Sequence, residues 1–147
     1  MRLTKHSDYA LRVLVYLASA EGRQASSEEV SAAYGISANH LVKVIGTLGK
    51  AGFLTIKRGR SGGFTLAREP EDIRIGDVVE ATEPDFAFVE CLEPGNHACA
   101  LTGTCGLVPP LRAAQKAFLA TLNEYTLADA VGARAPRYRK LLQISGS

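Results

Sequence analysis

Cys91, Cys99 and Cys105 are the only thiols in this 147-residue chain, and all three lie in one short stretch. Thiolates bind soft metals and carry redox chemistry. The spacing Cys91-x7-Cys99-x5-Cys105 limits what they can hold. An odd number of cysteines leaves one over in any disulfide framework. Structural zinc sites favour tight CxxC pairs inside turns, and the chain has none. Three widely spaced thiolates on a flexible loop can instead reach three corners of a larger object, and an iron–sulfur cluster is such an object. The spacing therefore favours a metal or cluster site, with zinc as the rival. A cluster needs a further ligand from elsewhere in the chain, from a partner, from a small molecule or from His97. His97 lies on a polar turn and reads better as a solvated loop residue. A thiol-dependent redox enzyme is the alternative of another class. Against it, the chain has no CxxC, nucleophile elbow or phosphate-binding loop.

The turn residues Pro94, Gly95, Asn96 and Gly103 make residues 85–105 a loop region around the cysteines. A short helix over about 73–81 precedes it, with Ile75, Val78 and Val79 on its apolar face and Pro84 as its stop. A long helix follows from about 107 to about 125, with Pro109 and Pro110 in its first turn, where proline is tolerated. Leu107, Leu111, Ala114, Phe118, Leu122 and Tyr125 recur at steps of four and three. That seam is the kind two helices use to pair, so the sequence predicts a dimerisation helix and a homodimer. Thr126 with Asp129 caps a last short helix. The tail after Val131, with Arg134, Arg137, Arg139 and Lys140, is expected to be mobile.

Upstream, Ala10, Leu11, Leu14, Leu17 and Ala18 mark an amphipathic helix over 5–20, with Thr4 as its N-cap and Asp8 near the positive end of its dipole. Ser26 and Glu29 form a capping box that opens a short helix to about Tyr34, and Gly35 closes it. Ser37 caps the next helix, whose apolar face is Leu41, Val44, Ile45 and Leu48. Two helices around a glycine turn form a helix-turn-helix pattern. Residues 53–56 and 64–66 then read as two short strands around Lys57-Arg58-Gly59-Arg60-Ser61-Gly62-Gly63. A basic, glycine-rich hairpin directly after a candidate recognition helix is the wing of winged-helix DNA binders. Ser37, Asn39, His40 and Lys43 lie where the recognition helix reaches base edges, and Arg58 and Arg60 suit phosphate or a narrow minor groove.

The fold class expected is mainly α with a small β-hairpin: a winged helix-turn-helix head plus a long dimerisation helix. The division is 1–82 for the head, 83–105 for the cysteine loop, 106–131 for the dimerisation helix and the short helix after it, and 132–147 for the tail. Charge agrees with a head that meets double-stranded DNA. Residues 1–70 carry ten Lys/Arg against five Asp/Glu, residues 71–105 one against eight, and residues 106–147 six against two. No membrane span or signal peptide is evident, so the expected location is cytoplasmic, where thiols stay reduced.

These motifs resemble the iron–sulfur winged-helix transcription regulator family over about residues 1–131. The resemblance rests on Leu3-Thr4 with Asp8-Tyr9-Ala10-Leu11-Arg12, on Tyr34-Gly35-Ile36-Ser37 and Asn39-His40-Leu41-Val42-Lys43, and on Arg58 through Gly63. It continues in Ile73 through Val79, the three cysteines, Phe118-Leu119 and Tyr125-Thr126-Leu127-Ala128-Asp129. Glu90-Cys91, the cysteine set and the last motif are more specific to its nitric-oxide-sensing repressors. The resemblance implies a homodimer with crossed long helices and one cluster per subunit, 4Fe-4S favoured over 2Fe-2S, on Cys91, Cys99 and Cys105. It also implies that Asp8 completes the cluster from the partner subunit and that nitric oxide is the signal. The family's cluster-assembly regulators carry a histidine three residues after the third cysteine, where this chain has Val108. Same-fold regulators responding to iron, redox state or cysteine supply are the alternative within this class.

Overall fold

The computed structural model describes residues 2–146; Met1 and Ser147, the outer ends of the first and last expected segments, lie outside the described residues. Local signals in the sequence set the first three helices. Helix α1 (Lys5–Ser19) starts where the Thr4 hydroxyl accepts from the Ser7 N–H at 3.3 Å. Helix α2 (Ser27–Tyr34) opens on a reciprocal capping box. Glu29 N–H donates to Ser26 Oγ at 3.2 Å and Ser26 N–H donates to Glu29 Oε2 at 2.8 Å. Gly35 ends α2 in the left-handed region, at φ 64°. Helix α3 (Ala38–Lys50) follows with Ser37 as its cap and buries Leu41, Val44, Ile45 and Leu48, the stripe its periodicity predicts.

Helix α1 runs through the centre of the head. Its Ala10, Val13, Leu14 and Leu17 are buried among Val30, Leu41, Leu48, Ile73 and Val78. Each buried Val, Leu or Ile among them contributes roughly 1.5–3 kcal/mol by leaving water. Strands β1 (Leu54–Lys57) and β2 (Gly63–Leu66) pair antiparallel, with Leu54 opposite Leu66 and Lys57 opposite Gly63. Buried Leu54 and Phe64 anchor the hairpin to the core. Ala25 adds a bridge to it, donating to Phe64 O at 3.0 Å and accepting from Phe64 N–H at 2.9 Å.

Helix α4 (Ile75–Thr82) begins later than its apolar pattern predicts, because Ile73 and Arg74 are taken up in extended pairing with the 125–127 segment. Ile75 N–H donates to Tyr125 O at 3.0 Å and Leu127 N–H to Ile73 O at 2.8 Å. Helix α5 (Val108–Leu122) ends earlier than its seam predicts, for a related reason. Asn123 turns back to α4, where its Oδ1 accepts from Asp77 N–H at 3.0 Å and its Nδ2 donates to Asp77 Oδ1 at 3.1 Å. The Asn123 carbonyl accepts from Arg74 at 2.6 Å. Gly76 makes this approach possible: a Cβ there would lie 2.3 Å from Asn123 Oδ1 and 2.7 Å from Leu119 O. No residue of α5 is buried, and Leu107 just before it and Tyr125 beyond its end are 67% and 55% exposed. Helix α6 (Leu127–Val131) carries the expected Thr126–Asp129 capping box, whose hydrogen bonds from Thr126 hold the Asp129 carboxyl below its ordinary range.

The expectation of a mobile tail is corrected by the structure. A 3-10 turn (Gly132–Arg134) leads into helix α7 (Ala135–Leu141), which packs on α1. Ile144 is buried, and Tyr138 and Leu142 lie against the core. Arg139 Nη1 donates to the Ser19 carbonyl at 3.1 Å and to the Glu21 carboxylate at 2.6 Å. Helix α1 has no basic residue in its last turn, so Arg139 supplies both a donor and a positive charge to its carbonyl end. Among the described residues, no helix is long and apolar enough to cross a membrane.

Candidate functional site

The cysteine loop is strung from the end of α4 to the start of α5, and the two helices pack closely at their other ends, where Gly76 meets Leu119 and Asn123. Its first part is pinned to α5, where Gln115 Nε2 donates to the Phe86 carbonyl and the Phe86 and Phe118 rings lie 5.7 Å apart. Local turns then set each cysteine. Cys91 sits in a 3-10 turn (Glu90–Leu92). The Cys99 carbonyl accepts from Thr102 N–H at 3.0 Å and Thr102 Oγ1 at 2.6 Å. Cys105 precedes the first turn of α5, its carbonyl accepting from Val108 N–H at 3.4 Å.

All three thiols line one cavity of ≈ 520 Å³, together with His97, Val108 and Arg112. They are free; Cys99 is exposed and the other two are half-buried. Among the described residues, no three His, Cys, Asp or Glu side chains stand close enough to hold a single metal ion. The thiols thus surround a common chamber without converging on one point. Soft donors spread around a chamber of this size fit a multi-atom cluster held by three thiolates. Arg112 adds a cation to the wall. Val108, at the position where assembly regulators carry histidine, gives the wall an apolar side chain and no ligand.

Asp8 is not among the residues lining this cavity. Its carboxylate is held from two sides by Arg12, with Nε to Oδ1 at 3.0 Å and Nη2 to Oδ2 at 2.9 Å. The Arg12 guanidinium also faces the Tyr9 and Tyr34 rings, each at 5.8 Å. Burial pushes the Tyr34 phenol up to about 12 despite the opposing pull of Arg12, so this cage keeps a neutral ring.

A second site lies on the opposite chemistry, a basic surface. Ser37, Asn39, His40 and Lys43 are all exposed on the N-terminal half of α3. The Ser37 hydroxyl is partly committed to capping, accepting from His40 N–H at 3.3 Å. Arg58 and Arg60 are exposed at the hairpin tip, and neither pairs with a carboxylate among the described residues. The tip is a built turn. Gly62 N–H donates to Gly59 O at 2.9 Å, and Gln24 Nε2 donates to the Ser61 carbonyl at 2.8 Å, tying the wing to the segment before α2. Sequence reasoning passed over Val42, which is 60% exposed on α3. Its residue type suggests core, but it falls off the Leu41, Val44, Ile45, Leu48 stripe, and that offset is the signal that finds it. An exposed aliphatic group there can pack on a thymine methyl.

Comparison with known proteins agrees with this architecture. The Rrf2 family, described as "Iron-dependent Transcriptional regulator", matches residues 3–133, so α7 lies beyond the match. The HTH-type transcriptional regulator NsrR of Bacillus subtilis (strain 168) is 46% identical over 132 residues, covering 89% of this chain and 90% of that protein. Among solved structures, T. potens IscR has a TM-score of 0.69 at 26% identity, covering 89% of this chain and 86% of its own. CymR (YrzC), the global cysteine regulator of B. subtilis, has a TM-score of 0.66 at 26% identity, covering 88% and 95%.

Proposed function

Because the chain belongs to the Rrf2 family of iron-dependent transcriptional regulators, we propose that it is a repressor whose hold on DNA depends on an iron–sulfur cluster. The family makes it a regulator of transcription and not an enzyme. The observation that carries the cluster reading is the single chamber shared by Cys91, Cys99 and Cys105. The reading is of a cytoplasmic homodimer paired through α5, with one cluster per subunit, 4Fe-4S favoured over 2Fe-2S.

The three cysteine thiolates hold the cluster, and Asp8 of the partner subunit supplies the further contact. A bound cluster supplies iron to which nitric oxide binds. The chain's own part is mechanical. With Asp8 engaged, α1 is tethered to the opposite loop; with Asp8 released, its carboxylate returns to Arg12, the pairing seen here. The dimer presents two α3 helices about 34–36 Å apart, matching successive major grooves of a pseudo-palindromic operator. Asn39, His40 and Lys43 read base edges, Ser37 stands at the start of the helix, and Arg58 and Arg60 hold backbone or minor groove. Coupling of about 1–3 kcal/mol between cluster and operator suffices for a many-fold change in occupancy.

The wing gives this reading its test. Arg60→Ala is expected to weaken operator binding and to flatten its dependence on salt. Removing one phosphate-binding cation makes the log–log slope shallower by roughly 0.9. Titration of labelled operator at several salt concentrations measures both. Unchanged affinity and slope would remove the wing from the interface.

A further inference from the structure

We infer that His6 is a positioning residue for the recognition helix, holding α3 at the roll that lets it read base edges. This rests on the DNA-reading role proposed for α3. His6 Nε2 lies 3.0 Å from Thr47 Oγ1 across the α1–α3 contact. The Thr47 hydroxyl has one proton, and it is spent on the Lys43 carbonyl at 3.1 Å. Thr47 Oγ1 therefore accepts from His6, which fixes the imidazole proton on Nε2. The bond continues from α1 through Thr47 to the backbone of Lys43, the last residue of the exposed reading face.

A second contact grips the other end of α3. Tyr9 and His40 rings lie 6.1 Å apart at 45°. His40 and Thr47 are seven residues apart, roughly 10.5 Å along the helix axis. Two residues almost one turn apart on α1 thus touch α3 near its start and in its last turns. The aliphatic stripe beneath α3 sets its depth, but apolar contacts are not directional and tolerate small rotations. The His6–Thr47 hydrogen bond is directional and selects one roll. Base-edge contacts require that roll, because their donors and acceptors are fixed in the groove; phosphate contacts from the wing do not.

The test uses anaerobically purified full-length protein, with two labelled duplexes at one salt concentration. One duplex is selected from a random pool by the wild-type protein, and the other is the same sequence scrambled. His6→Ala is expected to lose about tenfold in affinity for the selected duplex, the scale of one hydrogen bond, with no change on the scrambled one. His6→Gln, whose amide offers a donor near the Nε2 position, recovers most of the loss. Thr47→Val reproduces the loss, and combining it with His6→Ala adds nothing further. Equal losses on both duplexes, no loss on the selected one, or full additivity of the two variants would overturn the inference. If the wild type itself fails to discriminate the duplexes, the reading role of α3 falls, and this inference with it.

Discussion

Cys99→Ala is expected to strip iron and sulfide from the anaerobically purified protein while leaving the head folded. The Cys99 side chain is exposed and packs nothing in the core, so its removal creates no cavity. The turn around it is held by its backbone carbonyl, which accepts two bonds from Thr102 and survives the substitution. The variant lacks one of the three thiolates on the wall of the chamber. With two left, thiolate ligation is one short of the set the spacing provides, and the cluster is released. Iron and acid-labile sulfide per chain, measured beside the thermal transition, separate ligand removal from unfolding. Full retention in the variant would take Cys99 off the ligand set. Stoichiometric zinc without sulfide in the wild type would contradict the cluster itself.

Gly76→Ala is expected to cost about 1–3 kcal/mol of stability, the usual penalty of overpacking. Its Cβ enters space held by Asn123 Oδ1 at 2.3 Å and the Leu119 carbonyl at 2.7 Å, both on or next to α5. Relief requires Asn123 to give up its paired bonds with Asp77 or α5 to move away from α4. Those helices also flank the cysteine loop, so their separation is expected to loosen it. A lower urea midpoint and faster loss of iron to a chelator are the measurements. A wild-type midpoint would mean that the helices separate without strain, against their tight approach at Gly76.

Features written in neighbouring residues were legible in the sequence. Ser26 with Glu29 and Thr126 with Asp129 announce capping boxes, and both are formed. The aliphatic stripe of α3 and the glycine-rich basic hairpin are equally local. Features made by distant residues were hidden. Helix α7 docks through Tyr138, Leu142 and Ile144 and through Arg139, which reaches Ser19 and Glu21 far upstream, and the tail's own residues do not say which surface they will meet. The seam through Tyr125 continues past the end of α5 because periodicity cannot register the pull of Asp77 and Arg74 on Asn123. The spacing of the cysteines pointed to a metal or cluster, but their common chamber with Val108 and Arg112 emerges only once the loop is folded. His6 reads as one polar residue in a first turn until Thr47 is brought beside it.

The central claim is that the three cysteines hold a cluster whose state decides whether the wing and α3 stay on DNA. It is tested most directly in one cuvette, with anaerobic protein bound to fluorescently labelled operator and titrated with nitric oxide. Visible absorption and anisotropy are recorded together. The expected result is an initial cluster absorption band that disappears in step with release of the DNA. Tight operator binding that persists after the band has gone would contradict it.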